Sequence, residues 1–352
     1  MTRKATPPSE LPIEHPDTTT TGESVLSLPA LDGRTVLGFL AALGTSRLLR
    51  TVLPTSRIRL SWSRENASAL LHSPLPDLDA VVDMLYGIVL SIPEGGVLPG
   101  LPADLPPRGE APDRLRLPRA DWRFYAESVF EATGDAGERW LSCLITDLST
   151  DRDNLVQFGV FTATSGKQSS RTMLEKPLAL VRENPQFLFE AFTSWRRVPG
   201  VSGEYLDHRV LFDAADAPDG TSAERGVPGA TWLALMSYPL LRTTVTRQHP
   251  TSSGWQPLGP TQADHRLVWP LWSRPLDNSA AVTLLEHPLL EGVAPGRPEE
   301  PRAAALEKLS IFWINHAERR LVPDRQFAGV LAPTTQMPTS RPSRRVHRRG
   351  PR

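Results

Sequence analysis

The chain has 352 residues, with 39 lysines and arginines against 39 aspartates and glutamates, one cysteine and 35 prolines. That length can bury one large core or two smaller ones. The single Cys143 excludes an internal disulfide and any cysteine-based zinc cluster. The final twelve residues, RPSRRVHRRGPR, hold six arginines and no acid, so the rest of the chain carries a net charge of −6. A protein that binds duplex DNA through a globally positive surface is therefore excluded, and any contact with nucleic acid has to be local.

The polar, aperiodic segment 1–24 has no basic-then-apolar start, so it reads as a disordered leader and not a secretion signal. No run reaches the roughly 20 apolar residues that a membrane helix needs. Together with the lone cysteine, this places the protein in the cytoplasm, away from membranes.

Residues 28–53, LPALDGRTVLGFLAALGTSRLLRTVL, form the stretch around which the chain is organised. Asp32-Gly33 reads as a turn and Thr35 as the N-cap of a helix. Val36, Leu37, Phe39, Leu40, Leu43, Leu48, Leu49, Val52 and Leu53 recur at helical spacing until Pro54 stops the element. A helix this apolar is buried on most of its surface. Gly38, Ala41, Ala42 and Gly44 leave room for a second backbone to pack close. Arg57 to Trp62 alternates polar and apolar residues, as a half-buried strand does, and 78–92 has helical spacing up to Pro93. The first unit, 25–92, thus reads as helix, strand, helix.

Seven prolines between 93 and 118 predict a stiff connector and an internal boundary before a main region over 119–330. A weaker boundary falls in the loop-like stretch 213–230. Apolar segments 140–148 and 155–162 predict a hairpin around Asp147, Asp151 and Asp153. Helices are expected over 172–184 and 185–198, separated at Asn184-Pro185. Residues 231–241 read as buried and helical up to Pro239. Residues 266–272 read as a strand that Pro270 confines to an edge or a bulge. Residues 279–285 and 303–316 read as helices, and 331–352 as a basic disordered tail. Helices and short antiparallel strands without regular alternation define the α+β class, around one large core.

Candidate chemistry is sparse. Residues 161–170, FTATSGKQSS, leave an apolar segment and enter a helix, as a phosphate-binding loop does. Phe161 stands where that loop needs its first glycine, however, and Gln168 where it needs Ser or Thr. Nucleotide hydrolysis is not expected. A polar turn with Lys167, Gln168 and Arg171 at a helix start can still hold a phosphate, if it is not simply a solvated loop. The three aspartates of the hairpin lack the glycine and terminal glutamate of a calcium loop. Cys143 lies in an apolar run, as an inert buried thiol does. Asp207-His208 is either an acid–base pair or a salt-bridged corner. Trp195-Arg196-Arg197 pairs an aromatic with guanidinium groups that can stack on bases. Trp255, Trp269 and Trp272 are core residues or a protein-binding patch. No cofactor or metal is expected.

Several of these blocks resemble one family. LPALDGRTVLGFLAALGTSRLL followed by RLSW, then FGVFTATSGKQ, TWLALMSYPLL and LVWPLWSRPLD, are similar to large-subunit-like CRISPR-associated proteins of actinobacterial subtype I-G systems, formerly I-U. The likeness spans roughly 25–290 as dispersed packing patterns, and Lys167 stands where that family often has glutamine. The resemblance implies a non-catalytic subunit of a type I RNA-guided effector complex, without an active site of its own. Its implied partners are guide RNA or target DNA, other effector subunits and a recruited helicase-nuclease. The residues that would make the contacts are Lys167, Gln168 and Arg171 at the turn, Arg196 and Arg197, and Arg344, Arg345, Arg348 and Arg349 in the tail. The alternatives are a hydrolase-like enzyme using Asp207 and His208, or a scaffold binding a protein through the tryptophans.

Overall fold

The computed structural model describes residues 23–109, 113–162, 169–210, 224–257, 265–320 and 329–334. Residues 1–22 of the expected leader, 335–352 of the expected tail, Lys167 and Gln168 lie outside them, whereas Ser24 and residues 331–333, expected to be disordered, belong to strands Ser24–Asp32 and Val330–Pro333. The class is α+β, with helices packed among small antiparallel sheets.

The chain begins with strand β1 (Ser24–Asp32), then helix α1 (Val36–Val52), β2 (Arg59–Trp62), β3 (Ser68–Ser73) and α2 (Leu78–Ser91). The Thr35 hydroxyl accepts the Gly38 N–H and caps α1, as the sequence predicts. Asp77 does the same for α2 through the Ala80 N–H. The two strands missing from the sequence reading, β1 and β3, join β2 in a sheet of order β1-β3-β2. Trp62 of β2 stacks on Phe39 of α1 at 5.7 Å between ring centroids. Thirteen of the seventeen residues of α1 are buried. Each large side chain among them contributes about 1.5–3 kcal/mol on leaving water.

Next come α3 (Arg119–Thr133), α4 (Asp135–Leu144), β4 (Ile145–Thr150) and β5 (Val156–Phe158). The β4–β5 hairpin is present, but residues 140–144 end a helix instead of starting a strand. Helices α5 (Ser170–Glu183) and α6 (Gln186–Thr193) divide at Asn184-Pro185, as expected. A two-residue pairing of β6 (Val198–Pro199) with β7 (Arg225–Gly226) leads into α7 (Pro228–Leu235), which is buried throughout. A Cβ on Gly44 of α1 would sit 1.7 Å from the Leu233 carbonyl oxygen of α7, so only glycine permits this approach.

The last part contains β8 (Thr243–Thr246), β9 (His249–Ser252), β10 (Trp255–Pro257), β11 (His265–Trp272), α8 (Asn278–Leu285), α9 (Ala303–Lys308), β12 (Ile311–Arg320) and β13 (Val330–Pro333). Strands β10 to β13 form a four-stranded antiparallel sheet in chain order. The helix expected over 303–316 stops at Lys308. Ser310 turns the backbone at φ 61°, and the β-branched and aromatic run from Ile311 continues as a strand. Strand β11 is internal to the sheet, but β10 flanks only 265–267 and a register shift follows at Leu271/Trp272. Pro270 thus sits beside a bulge where one side of the strand is unpaired in the sheet, in keeping with the edge-or-bulge expectation. Ile314 exchanges both of its backbone bonds with Gly296, so its pair with Pro270 in β12–β11 is a non-hydrogen-bonded one. The N–H that proline lacks would point away from β12, on the side where β10 has already ended.

The proline-rich stretch is not a connector over the surface. Leu98, Leu101, Leu105 and Leu115 are buried in the same apolar cluster that runs from Leu28 to Leu331. Units 25–92 and 119–330 therefore share one core. Trp269 and Trp272 bring β11 onto Phe39 and Trp62, at centroid separations of 5.9–6.1 Å.

Candidate nucleic-acid interface

At the start of α5, where the phosphate-binding turn is expected to end, the helix N-terminus from Ser169 is met by the protein's own groups. Ser169 and Thr172 cap the helix reciprocally, and the Asp113 carboxylate accepts the Ser170 N–H. A carboxylate at a helix N-terminus satisfies the same dipole that would attract a phosphate. Arg171 is 2% exposed. Its guanidinium donates to the carbonyls of Ala103 (3.0 Å), Pro106 (2.7 Å) and Gly95, folding the proline-rich stretch around it. Burial lowers its pKa, yet it remains a cation. Arg171 is a structural tie and cannot meet a strand.

Trp195-Arg196-Arg197 is not a stacking platform either. The Trp195 indole donates to the Ala191 carbonyl at 3.1 Å and is half-buried. Arg197 donates to Asp207 at 2.6 Å and to the Arg225 carbonyl at 3.1 Å. Arg196 is the exposed residue of the three, lying 4.6 Å over the Phe187 ring and bonded to Glu190 at 2.8 Å. Arg344, Arg345, Arg348 and Arg349 lie outside the described residues.

Asp207 is a corner, not one half of an acid–base pair. It accepts from Arg197 and from the Arg209 N–H, and His208 Nδ1 stands 3.8 Å from it, beyond hydrogen-bond reach. Trp255, Trp269 and Trp272 are all buried, so they offer no patch to a partner. Cys143 is buried, its thiol pKa pushed up by loss of water. Among the described residues no three His, Cys, Asp or Glu side chains are arranged to hold a metal ion. No helix among them is long and apolar enough to cross a membrane.

The structure assembles a different site. A groove of about 480 Å³ opens where the β1–α1 and β2–β3 turns meet α9 and β12. Its lining includes Arg34, Arg64, Asn66, Arg297, Phe312 and Trp313, with Glu65 and Glu307. All nine tryptophans are among the described residues, and Trp313, at 36%, is the exposed one. The Arg64 guanidinium lies 5.5 Å over the Phe312 ring and donates to the Ser273 hydroxyl at 3.2 Å. Arg34 is aimed by a forked bond to Asp32, with Nε and Nη2 each 2.9 Å from a carboxylate oxygen. That bond raises the Arg34 pKa further. Arg297 is exposed and has no ion pair among the described residues.

The turn that carries Arg34 is pinned to the sheet. Gly33 O accepts the Trp269 indole N–H at 2.7 Å and the Asn315 amide at 3.4 Å, and Gly33 N–H donates to Ala67 O at 2.9 Å. A side chain on Gly33 would strike Trp62 and Leu271 within 2.7 Å. The groove is thus mounted on the rigid core. The groove is hidden in the sequence because Trp313 falls inside the helix expected over 303–316. The aromatic and β-branched run Ile311-Phe312-Trp313-Ile314 is the signal for a strand there. Neither the family models nor the curated proteins searched contain a match to this chain.

Proposed function

We propose that this chain is a nucleic-acid-contacting protein that performs no bond chemistry itself and works as part of a larger assembly. More particularly, it is a subunit of a type I CRISPR RNA-guided effector complex of subtype I-G, acting in the cytoplasm in antiviral defence. There it contacts guide RNA or target DNA beside other effector subunits, and a helicase-nuclease is recruited to the complex. The resemblance of the blocks at 28–49, 59–62, 158–168, 231–241 and 267–277 supports the particular assignment. The observation that carries the general one is the groove, where three arginines surround an exposed indole on a rigid frame.

A near-neutral chain suits this role, because a groove completed by neighbouring subunits need not be basic everywhere. In such complexes base pairing reads the target, while protein side chains hold the backbone. The test is to purify the tagged protein with and without its encoded neighbours and treat what comes along with nucleases. Short RNA of one length, present only with the neighbours, is the expected result. A preparation free of nucleic acid in both cases, or one that turns over a small compound, contradicts the proposal.

A further inference from the structure

The groove has more specific chemistry than a general affinity for phosphate. Its aromatic wall is Trp313 with Phe312 beneath the Arg64 guanidinium. An exposed indole beside cations offers a stacking face to an unstacked base, and every base has one. Arg297 supplies a guanidinium without an ion pair among the described residues, and Arg64 retains donors beyond its one hydroxyl bond. Two carboxylates, Glu65 and Glu307, also line the groove, and neither has an ion-pair partner among the described residues. Asn66 lies beside Glu65. Carboxylates repel a phosphate but accept from exocyclic amino groups, as Glu and Asp do with cytosine N4. A volume of about 480 Å³ falls within the range of pockets, about 300–1,000 Å³, that enclose one small ligand.

We propose that this groove is a single-nucleotide subsite that captures one unstacked, amino-bearing base of a single strand. The base stacks on Trp313, its exocyclic amino group donates to Glu65 or Glu307, and its phosphate meets Arg64 and Arg297. This rests on the proposed nucleic-acid role and gives it a register. Adenine and cytosine are favoured over uracil, whose Watson–Crick edge places carbonyl oxygens against the carboxylates.

The test uses fluorescein-labelled decamers of A, C and U, with binding followed by anisotropy at one fixed salt concentration. The proteins are the wild-type chain and the variants Trp313→Ala, Trp313→Phe and Glu307→Gln, each checked for an unchanged melting temperature. Wild-type protein is expected to bind the A and C decamers about tenfold more tightly than U. Trp313→Ala weakens A and C binding about tenfold, and Trp313→Phe restores most of it. Glu307→Gln narrows the gap between C and U. Tight decamer binding that is indifferent to Trp313 overturns the subsite while leaving the nucleic-acid role intact. Wild-type protein that binds no decamer, alone or within the assembled complex, overturns both. If Trp313→Ala releases a protein subunit from the complex and leaves decamer affinity unchanged, the groove is a protein-docking site and the subsite is overturned.

Discussion

The Trp269 indole donates to the Gly33 carbonyl at 2.7 Å, joining residues 236 positions apart in the chain. This bond fixes the turn that carries Arg34 to the strand pair that carries Trp313, because Trp269 lies opposite Asn315 in the β11–β12 ladder. Trp269→Phe keeps most of the ring packing but leaves the buried carbonyl with only the longer bond from Asn315. The expected loss is about 1–3 kcal/mol, read as a lower denaturation midpoint with an unchanged slope.

Close backbone packing gives a harsher expectation. At Gly44 a methyl group meets the Leu233 carbonyl of α7, which is main chain and cannot rotate away. Gly44→Ala is expected to cost about 3 kcal/mol or more, the range where overpacking in a core becomes severe. Gly87 has open space around its Cβ position, so Gly87→Ala serves as the control. It is expected to be neutral or stabilising by up to about 1 kcal/mol in equilibrium unfolding.

Arg171 separates structural from binding roles. With three main-chain carbonyls depending on it, Arg171→Met is expected to lower stability by roughly 3 kcal/mol or more. Binding per folded molecule, and its salt slope, should not change. Substituting Arg344, Arg345, Arg348 and Arg349 by Gln should do the opposite, with stability unchanged. The slope of log affinity against log salt becomes shallower by about 0.7 for each phosphate that the tail no longer neutralises.

His316 makes stability depend on pH. It is buried, and Arg266 Nη1 donates to its Nδ1 at 3.3 Å, a bond that needs the neutral ring. Burial first, then the Arg266 charge, lowers its pKa from 6.5 to about 4. Below 6.5 the unfolded chain takes up a proton that the folded chain refuses. The stabilisation is therefore complete above pH 6.5 and is lost as the pH falls toward 4. The loss is about 1–3 kcal/mol. His72 and His208, whose pKa values are also lowered mainly by burial, act in the same direction. Denaturation midpoints between pH 7 and pH 4 should show this fall, and His316→Gln should flatten it.

Much of the frame is legible locally. The cap of α1 and the spacing of α1 and α2 announce themselves, as does the break at Asn184-Pro185. Strand β3, SALLHS, is buried on both faces and so lacks alternation, while β1 contains Pro29 within its register shift. The proline-rich stretch looks like a linker because composition does not reveal that Arg171, far along the chain, gathers its carbonyls. The groove is illegible for a related reason. Its walls come from residue 34, residues 64–67 and residues 297–313, and long-range bonds such as Trp269 to Gly33 and Arg64 to Ser273 bring these segments together.

Ultraviolet cross-linking of the assembled complex, followed by mass spectrometry of the protein–nucleotide adducts, tests the central claim most directly. The account predicts a nucleotide joined to the peptide that contains Phe312 and Trp313, and its disappearance in Trp313→Ala. Adducts confined to other surfaces, with the 312–313 peptide unmodified in the wild-type complex, would contradict it.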